Sequence, residues 1–153
     1  MPKLNTAGWQ EFPAVINRFT GTSNGPYSEL VLGEQAGLSQ FGVHLERLPP
    51  GSRSSFRHWH ETEDELIFVL EGELVLVEDQ ESLLRQGDAA AWKAGVQTGH
   101  CVENRSAKDA TLLVVGTRAA RGAVHYSDHD LVMHHDENGR KFFRKDCSPL
   151  PSL

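Results

Sequence analysis

The chain is short of cysteine, of positive charge and of long apolar runs. Its 153 residues include only 2 cysteines, Cys101 and Cys147, so no disulfide framework is available and nothing points to an oxidising compartment. A domain of this size buries about 68–70% of its unfolded surface and needs no such staples; a reducing, cytoplasmic setting is expected. No segment approaches the ~18 uninterrupted apolar residues of a membrane span, and the opening MPKLNTAGWQEFPAV lacks the apolar stretch of a signal peptide. A soluble protein without a membrane partner is expected. With 15 basic against 21 acidic side chains, the formal charge of -6 repels a phosphate backbone, and no Lys/Arg stripe offsets it, so nucleic acid is not an expected partner. Helical periodicity is scarce too. Residues 1–50 in particular lack the apolar 3.6-residue period that a helix-turn-helix needs.

What the chain does have is short runs of Val, Leu, Ile and Phe, separated by glycine and acidic turns. That pattern belongs to an antiparallel all-β sandwich or barrel, and closure would remove exposed strand edges. In ELIFVLEGELVLVED (65–79) two apolar runs flank Glu71-Gly72, which reads as a tight hairpin. ESLLRQGD (81–88), DAAAWKAG (88–95), GHCVENRS (99–106) and ATLLVVGTRA (110–119) each read as one strand plus its turn. Upstream, FGVHLERLPPG (41–51) is a strand ended by Pro49-Pro50-Gly51. Downstream, DLVMHHDENGRKFFRK (130–145) is a hairpin turning at Asn138-Gly139. With no repeat or linker, the expectation is one domain: an N-terminal extension with the first strands (1–40), a barrel core (41–120), and a C-terminal hairpin and tail (121–153).

The compositional oddity is histidine, present 8 times. In HWHETEDE (58–65), His58 and His60 share one face of a strand, because side chains alternate at about 3.3 Å per residue, and a metal can bridge them. Chance alone supplies about 0.4 His-x-His pairs at this histidine content, so the pair needs company. A carboxylate follows at once, and His100 lies after the next turn-bounded strands, where an antiparallel sheet can return it. Alternation from His60 favours Asp64 as that carboxylate, whereas a bulge in Glu61-Thr62-Glu63-Asp64 resets the phase to Glu65. Nitrogen and oxygen donors without a thiolate suit Fe, Mn, Ni or Zn as the divalent ion. Three histidines and one carboxylate leave a six-coordinate ion two open positions, which means chemistry or ligand capture.

These residues resemble the cupin superfamily. Its first motif is similar to Gly51, six residues, His58, Trp59, His60, four residues, Glu65, six residues, Gly72; its second is similar to Gly87, then Lys93 in the usual proline place, Gly95, four residues, His100 and Asn104. There are departures: one extra residue before His58, and two extra between Gly95 and His100. The resemblance implies a small single-domain cupin with a double-stranded β-helix, or jelly-roll, barrel, and metal ligands His58, His60, Glu65 and His100. It also implies a metalloenzyme acting on a small polar metabolite: an isomerase such as a sugar-phosphate isomerase, a dioxygenase or a lyase. The alternative is a non-catalytic binding or sensing cupin without a DNA-binding domain. A homodimer is expected, with Trp9, Phe12 and Val15 pairing on a neighbour's sheet edge.

Of the other residues, His134 and His135 are expected at the surface of the last hairpin. His125, Tyr126 and Glu63 are candidates for a general acid or base. Trp59, Trp92, Phe41 and Phe68 read as barrel filling, Cys101 as a small buried hydrophobe, and His44, which shares a strand face with Gly42 and Glu46, as a surface residue. Lys93 is a solvated charge or a contact for an anionic ligand.

Overall fold

In the computed structural model, which describes residues 3–151, the apolar alternation resolves into β-strands with a single short helix. In chain order the elements are β1 (Gln10–Phe12), β2 (Tyr27–Val31), α1 (Leu32–Gln35), β3 (Phe41–Leu48), β4 (His58–His60), β5 (Glu65–Glu71), β6 (Glu73–Val77), β7 (Glu81–Arg85), β8 (Ala89–Trp92), β9 (Cys101–Glu103), β10 (Ala110–Thr117), β11 (Gly122–Tyr126), β12 (Leu131–Asp136) and β13 (Gly139–Phe143). One wall is a six-stranded antiparallel sheet in the order β1-β2-β3-β10-β5-β8. The other combines β13-β12-β11-β4 with β7-β6-β9, joined by a bridge between His58 and His100 and another between Arg53 and Glu103. Two facing antiparallel walls built from strands that cross between them form a jelly roll.

The core lies between the walls. Ile67 and Val69 of β5 and Leu112 of β10 meet Leu74, Leu76 and Val102 from the opposite wall, and Leu48 and Leu84 complete the cluster. At about 25 cal/mol per Å² of apolar area, this burial is the main force closing the barrel. Among the described residues, no helix is long and apolar enough to cross a membrane.

Glu71-Gly72 is not a hairpin. β5 pairs with β10 and β8, whereas β6 pairs with β7 and β9, so the chain leaves one sheet at Gly72 and enters the other. Gly72 has φ +83, and a Cβ there would lie 2.8 Å from Asp109 O and 2.9 Å from Ala110 Cα. The glycine serves a corner between walls, a demand that local pattern does not distinguish from a tight turn. The last hairpin is present, but Asp136 pairs with Gly139, which makes Glu137-Asn138 its turn. At the N-terminus β1 pairs with this chain's own β2, Phe12 stacks on Tyr27 at 4.8 Å, and Arg47 lies over the Trp9 ring. Trp9 and Phe12 of this segment thus pack on the chain's own sheet, and β1 forms its edge.

Candidate metal centre

The end of the barrel between β4 and β5 is built by short-range geometry. β4 holds only three residues, so His58 and His60 face inward while Trp59 faces out. The chain then bends through Glu61–Asp64 before β5 begins, and this bend restarts the alternation with Glu65 inward and Leu66 outward. Asp64 is left on the outside, where its Oδ1 accepts the Ala94 N–H at 2.8 Å. The two additional residues before His100 do not shorten its reach. His100 N donates to His58 O at 3.0 Å and His58 N to His100 O at 3.2 Å, so the backbone itself delivers the third imidazole to the pair.

Four side-chain tips converge. Glu65 Oε2 lies 3.0 Å from His100 Nε2, 3.1 Å from His60 Nε2 and 3.8 Å from His58 Nε2, and the Nε2 atoms of His58 and His60 are 3.1 Å apart. His58, Glu65 and His100 offer donor atoms that all lie within 4.8 Å of one another. What orients the rings is as telling as where they meet. His58 Nδ1 donates to Phe56 O at 2.9 Å and His100 Nδ1 to Thr98 O at 3.1 Å. A carbonyl can only accept, so each Nδ1 carries a proton and each Nε2 is the atom turned toward the cluster. His60 Nδ1 faces Glu63 Oε2 at 3.4 Å, a carboxylate backing an imidazole from outside the cluster. Trp92 stacks on the His100 ring at 3.6 Å and 3° and is itself held by its Nε1 donating to Glu78 Oε1 at 2.7 Å.

Electrostatically the cluster calls for a cation. Burial lowers the His58 imidazolium to about 4, leaving that ring neutral. Burial also opposes charge on His60, but hydrogen bonds with Glu63 and Glu65 outweigh it and raise the ring to about 9. Glu65 feels burial in the upward direction, yet hydrogen bonds from His100 and His60 hold its carboxyl well below the ordinary carboxylate range. Once an ion displaces the protons these rings hold, three imidazole Nε2 atoms and one carboxylate converge on it, a donor set that fits a divalent ion with nitrogen and oxygen ligands.

Beside this cluster lies a cavity of about 230 Å³, lined by His58, Glu65, Trp92 and His100 together with His44 and Glu46. His44 and Glu46 were not predicted to be here. β3 turns its even-numbered residues inward, so Glu46 is 8% exposed and His44 Nε2 stands 3.6 Å from Glu46 Oε2. Burial, only partly offset by His44, raises the Glu46 carboxyl. Cys101 also touches the cavity, but burial pushes its thiol up to about 11, which leaves it a packing residue. The expected acid-base candidates do not line this cavity. His125 stacks on Trp59 at 4.1 Å on the outer face, Glu63 backs His60, and the Tyr126 ring packs 6.1 Å from His58.

Other expectations also change. Trp59 lines an outer groove with His125, and Phe41 is 40% exposed, so neither fills the barrel; Trp92 does. Lys93 sits on the outer face beside Asp64 and Leu66, away from the cavity. His134 is exposed against Phe143, and His135 is half-buried with Nε2 3.9 Å from Glu63 Oε1. Asn104 is fully buried and structural: its Nδ2 donates to Leu48 O and Lys108 O at 2.7 Å each, and its backbone carbonyl accepts Gly51 N–H at 2.8 Å.

Residues 44–116 match the family model for the cupin domain. Over 99% of this chain and 98% of the other, the protein is similar to a sugar phosphate isomerase of the cupin superfamily from Silicibacter pomeroyi, at 43% identity and TM-score 0.86. The chain belongs to the cupin superfamily. The cupin fold is shared more distantly by a structure from Acidithiobacillus ferrooxidans, 22% identical with TM-score 0.76 over 84% of this chain and 82% of that one. It is shared again by a predicted oxalate decarboxylase from Thermotoga maritima, 23% identical with TM-score 0.61 over 77% of this chain and 100% of that one. At such identities the likeness concerns the fold alone. A search of the curated proteins finds no match to this cupin.

Proposed function

We propose that this cupin is a metal-dependent isomerase of small hydroxy-carbonyl metabolites, with His58, His60, Glu65 and His100 holding the divalent ion. The observation that carries the reading is the cluster of imidazole Nε2 atoms around Glu65 Oε2, with the rings of His58 and His100 fixed by backbone carbonyls. A bound divalent ion polarises a carbonyl oxygen and the hydroxyl beside it. The chain's own residues do the rest. Glu46, buried and with its carboxyl raised, lines the same cavity as His58, Glu65 and His100 and carries a proton between adjacent carbons. His44, with Nε2 at 3.6 Å, positions that carboxylate. The volume of about 230 Å³ lies just below the range of ordinary ligand sites and suits a metabolite of a few carbons. The similarity to the Silicibacter pomeroyi protein favours isomerisation over the dioxygenase and lyase alternatives.

We place this cupin in the cytoplasm, since Cys101 and Cys147 are both free. A homodimer is part of the same proposal: the outer face of the six-stranded sheet exposes Phe41, Leu66 and Leu70, each by 37% or more, and a second copy covers it. Light scattering that gives a single-chain mass overturns the dimer.

The test of the site is elemental analysis of protein purified without added metal, repeated for His58→Ala and His100→Ala. The wild type carries an ion and both variants lose it; equal metal in all three refutes the ligand set. The test of the reaction is solvent-deuterium exchange into aldose and ketose substrates, followed by NMR. Wild type exchanges the proton beside the carbonyl, and Glu46→Gln retains the metal but not the exchange. Binding without exchange in the metal-loaded wild type identifies a non-catalytic binder instead.

A further inference from the structure

Next to the cavity, and sharing His44, Glu65 and Val114 with it, lies an outer chamber of about 370 Å³, and two arginines line it, Arg118 and Arg140. They come from opposite walls. Arg118 follows directly on β10, at the end of the six-stranded sheet, and Arg140 is the second residue of β13 in the facing one. In β13 the register sets Arg140 opposite His135 and Phe142 opposite Met133, so Arg140 shares a face with the inward row Leu131, Met133 and His135. Arg118 lies over the end of β3, packed against Gly42, where a Cβ would stand 3.5 Å from its Nε.

Both guanidiniums have donors to spare. Arg118 meets only Leu38 O at 3.5 Å and the exposed Glu34 at 3.9 Å, and among the described residues Arg140 has no carboxylate within 4.0 Å. The carboxylates near this mouth are already occupied. Glu63 faces His60 and accepts the Ala119 N–H at 3.0 Å, Asp64 accepts the Ala94 N–H at 2.8 Å, and Glu65 belongs to the imidazole cluster. In a chain of net charge -6, two guanidiniums left uncommitted at the entrance to a site are not general surface charge. Their planar, multi-donor geometry matches a tetrahedral oxyanion better than any neutral group does.

We propose that Arg118 and Arg140 form an anion subsite that receives the phosphate of a phosphorylated substrate, with the substrate's hydroxy-carbonyl end directed past His60 toward the cavity. The subsite rests on the function proposed above and adds the residues that receive a substrate's phosphate. It also accounts for the lining that the chamber and the reaction cavity share, His44, Glu65 and Val114: one ligand spans both.

The experiment is titration calorimetry on the full-length, metal-loaded protein with three probes: a sugar phosphate, the same sugar without phosphate, and inorganic phosphate. Arg118→Ala, Arg140→Ala and the double variant are compared with wild type, and Arg105→Ala, whose guanidinium pairs with Glu81 and Glu103 away from the mouth, is the control. A hydrogen bond to a charged group is worth about 1.5–3 kcal/mol, so each single variant weakens the two phosphate probes about 10- to 100-fold. The unphosphorylated sugar and Arg105→Ala are unaffected. Unchanged phosphate affinity in the double variant overturns the subsite, as does equal weakening of both sugars or a wild type that binds no phosphate probe. Metal content, measured in each sample, separates this from failure of the metal site: loss of the ion from wild type strikes the ligand set, whereas retained ion with unchanged phosphate affinity strikes the arginines alone.

Discussion

Replacing Glu65 by Gln and, separately, Asp64 by Asn puts two neighbouring carboxylates in competition for one role. Glu65 Oε2 is 3.0–3.8 Å from three Nε2 atoms, whereas Asp64 points outward to the Ala94 N–H. With a divalent ion at 100 times its dissociation constant, binding stabilises the wild type by about 2.7 kcal/mol. For a domain of this size that is a rise of about 5–10 °C in Tm. Outer-sphere partners of metal ligands are worth about 10–100-fold in affinity, and a direct ligand at least as much. A 100-fold loss at the same ion concentration leaves Glu65→Gln a gain of only about 0.4 kcal/mol, or about 1 °C. Asp64→Asn keeps the full shift. Differential scanning fluorimetry with and without ion reads this directly, each variant against its own metal-free baseline because Glu65→Gln also removes an anion that His60 and His100 contact. A collapsed shift in Asp64→Asn with a preserved one in Glu65→Gln refutes the reasoning.

Three further outcomes are expected. Asn104→Ala removes the Nδ2 donor from the buried Leu48 carbonyl and costs about 1–3 kcal/mol in urea unfolding; an unchanged midpoint would show that water replaces the amide. Gly72→Ala places a Cβ against Asp109 and Ala110 backbone and costs at least about 2 kcal/mol, more than Gly139→Ala, which has positive φ but open space. The metal-free protein is most stable near pH 6.5. His60, raised to about 9, contributes stability that is complete below its unfolded value and fades as pH rises through 9. His58, lowered to about 4, must take up a proton on unfolding below 6.5, so stability falls there as pH drops. A stability that rises steadily from pH 6.5 to 9 in chelator-treated protein contradicts this.

Strand alternation in the sequence determined a good deal by itself. A period of two puts His58 and His60 on one face whatever surrounds them, and the spacing of Gly51, Gly72, Gly87 and Gly95 marks positive-φ corners whose backbone requirements glycine alone meets cheaply. The antiparallel all-β class follows from the same short runs and turns. What alternation cannot say is which face is inside. In β3, Val43 and Leu45 are the apolar residues and His44 and Glu46 the polar ones, so hydrophobicity assigns His44 to solvent; in the fold Glu46 is the more buried, because this barrel keeps a polar cavity within and an apolar sheet outside. Phe41 and Trp59 were misassigned for the same reason. The phase of Glu65 depended on a four-residue bend, and the crossing at Gly72 on the backbone of Asp109 and Ala110, which arrives from far along the chain. Apart from the Glu65 phase, which its own neighbours set, tertiary structure alone decided these points, because each is fixed by what packs opposite a residue and not by its neighbours in sequence.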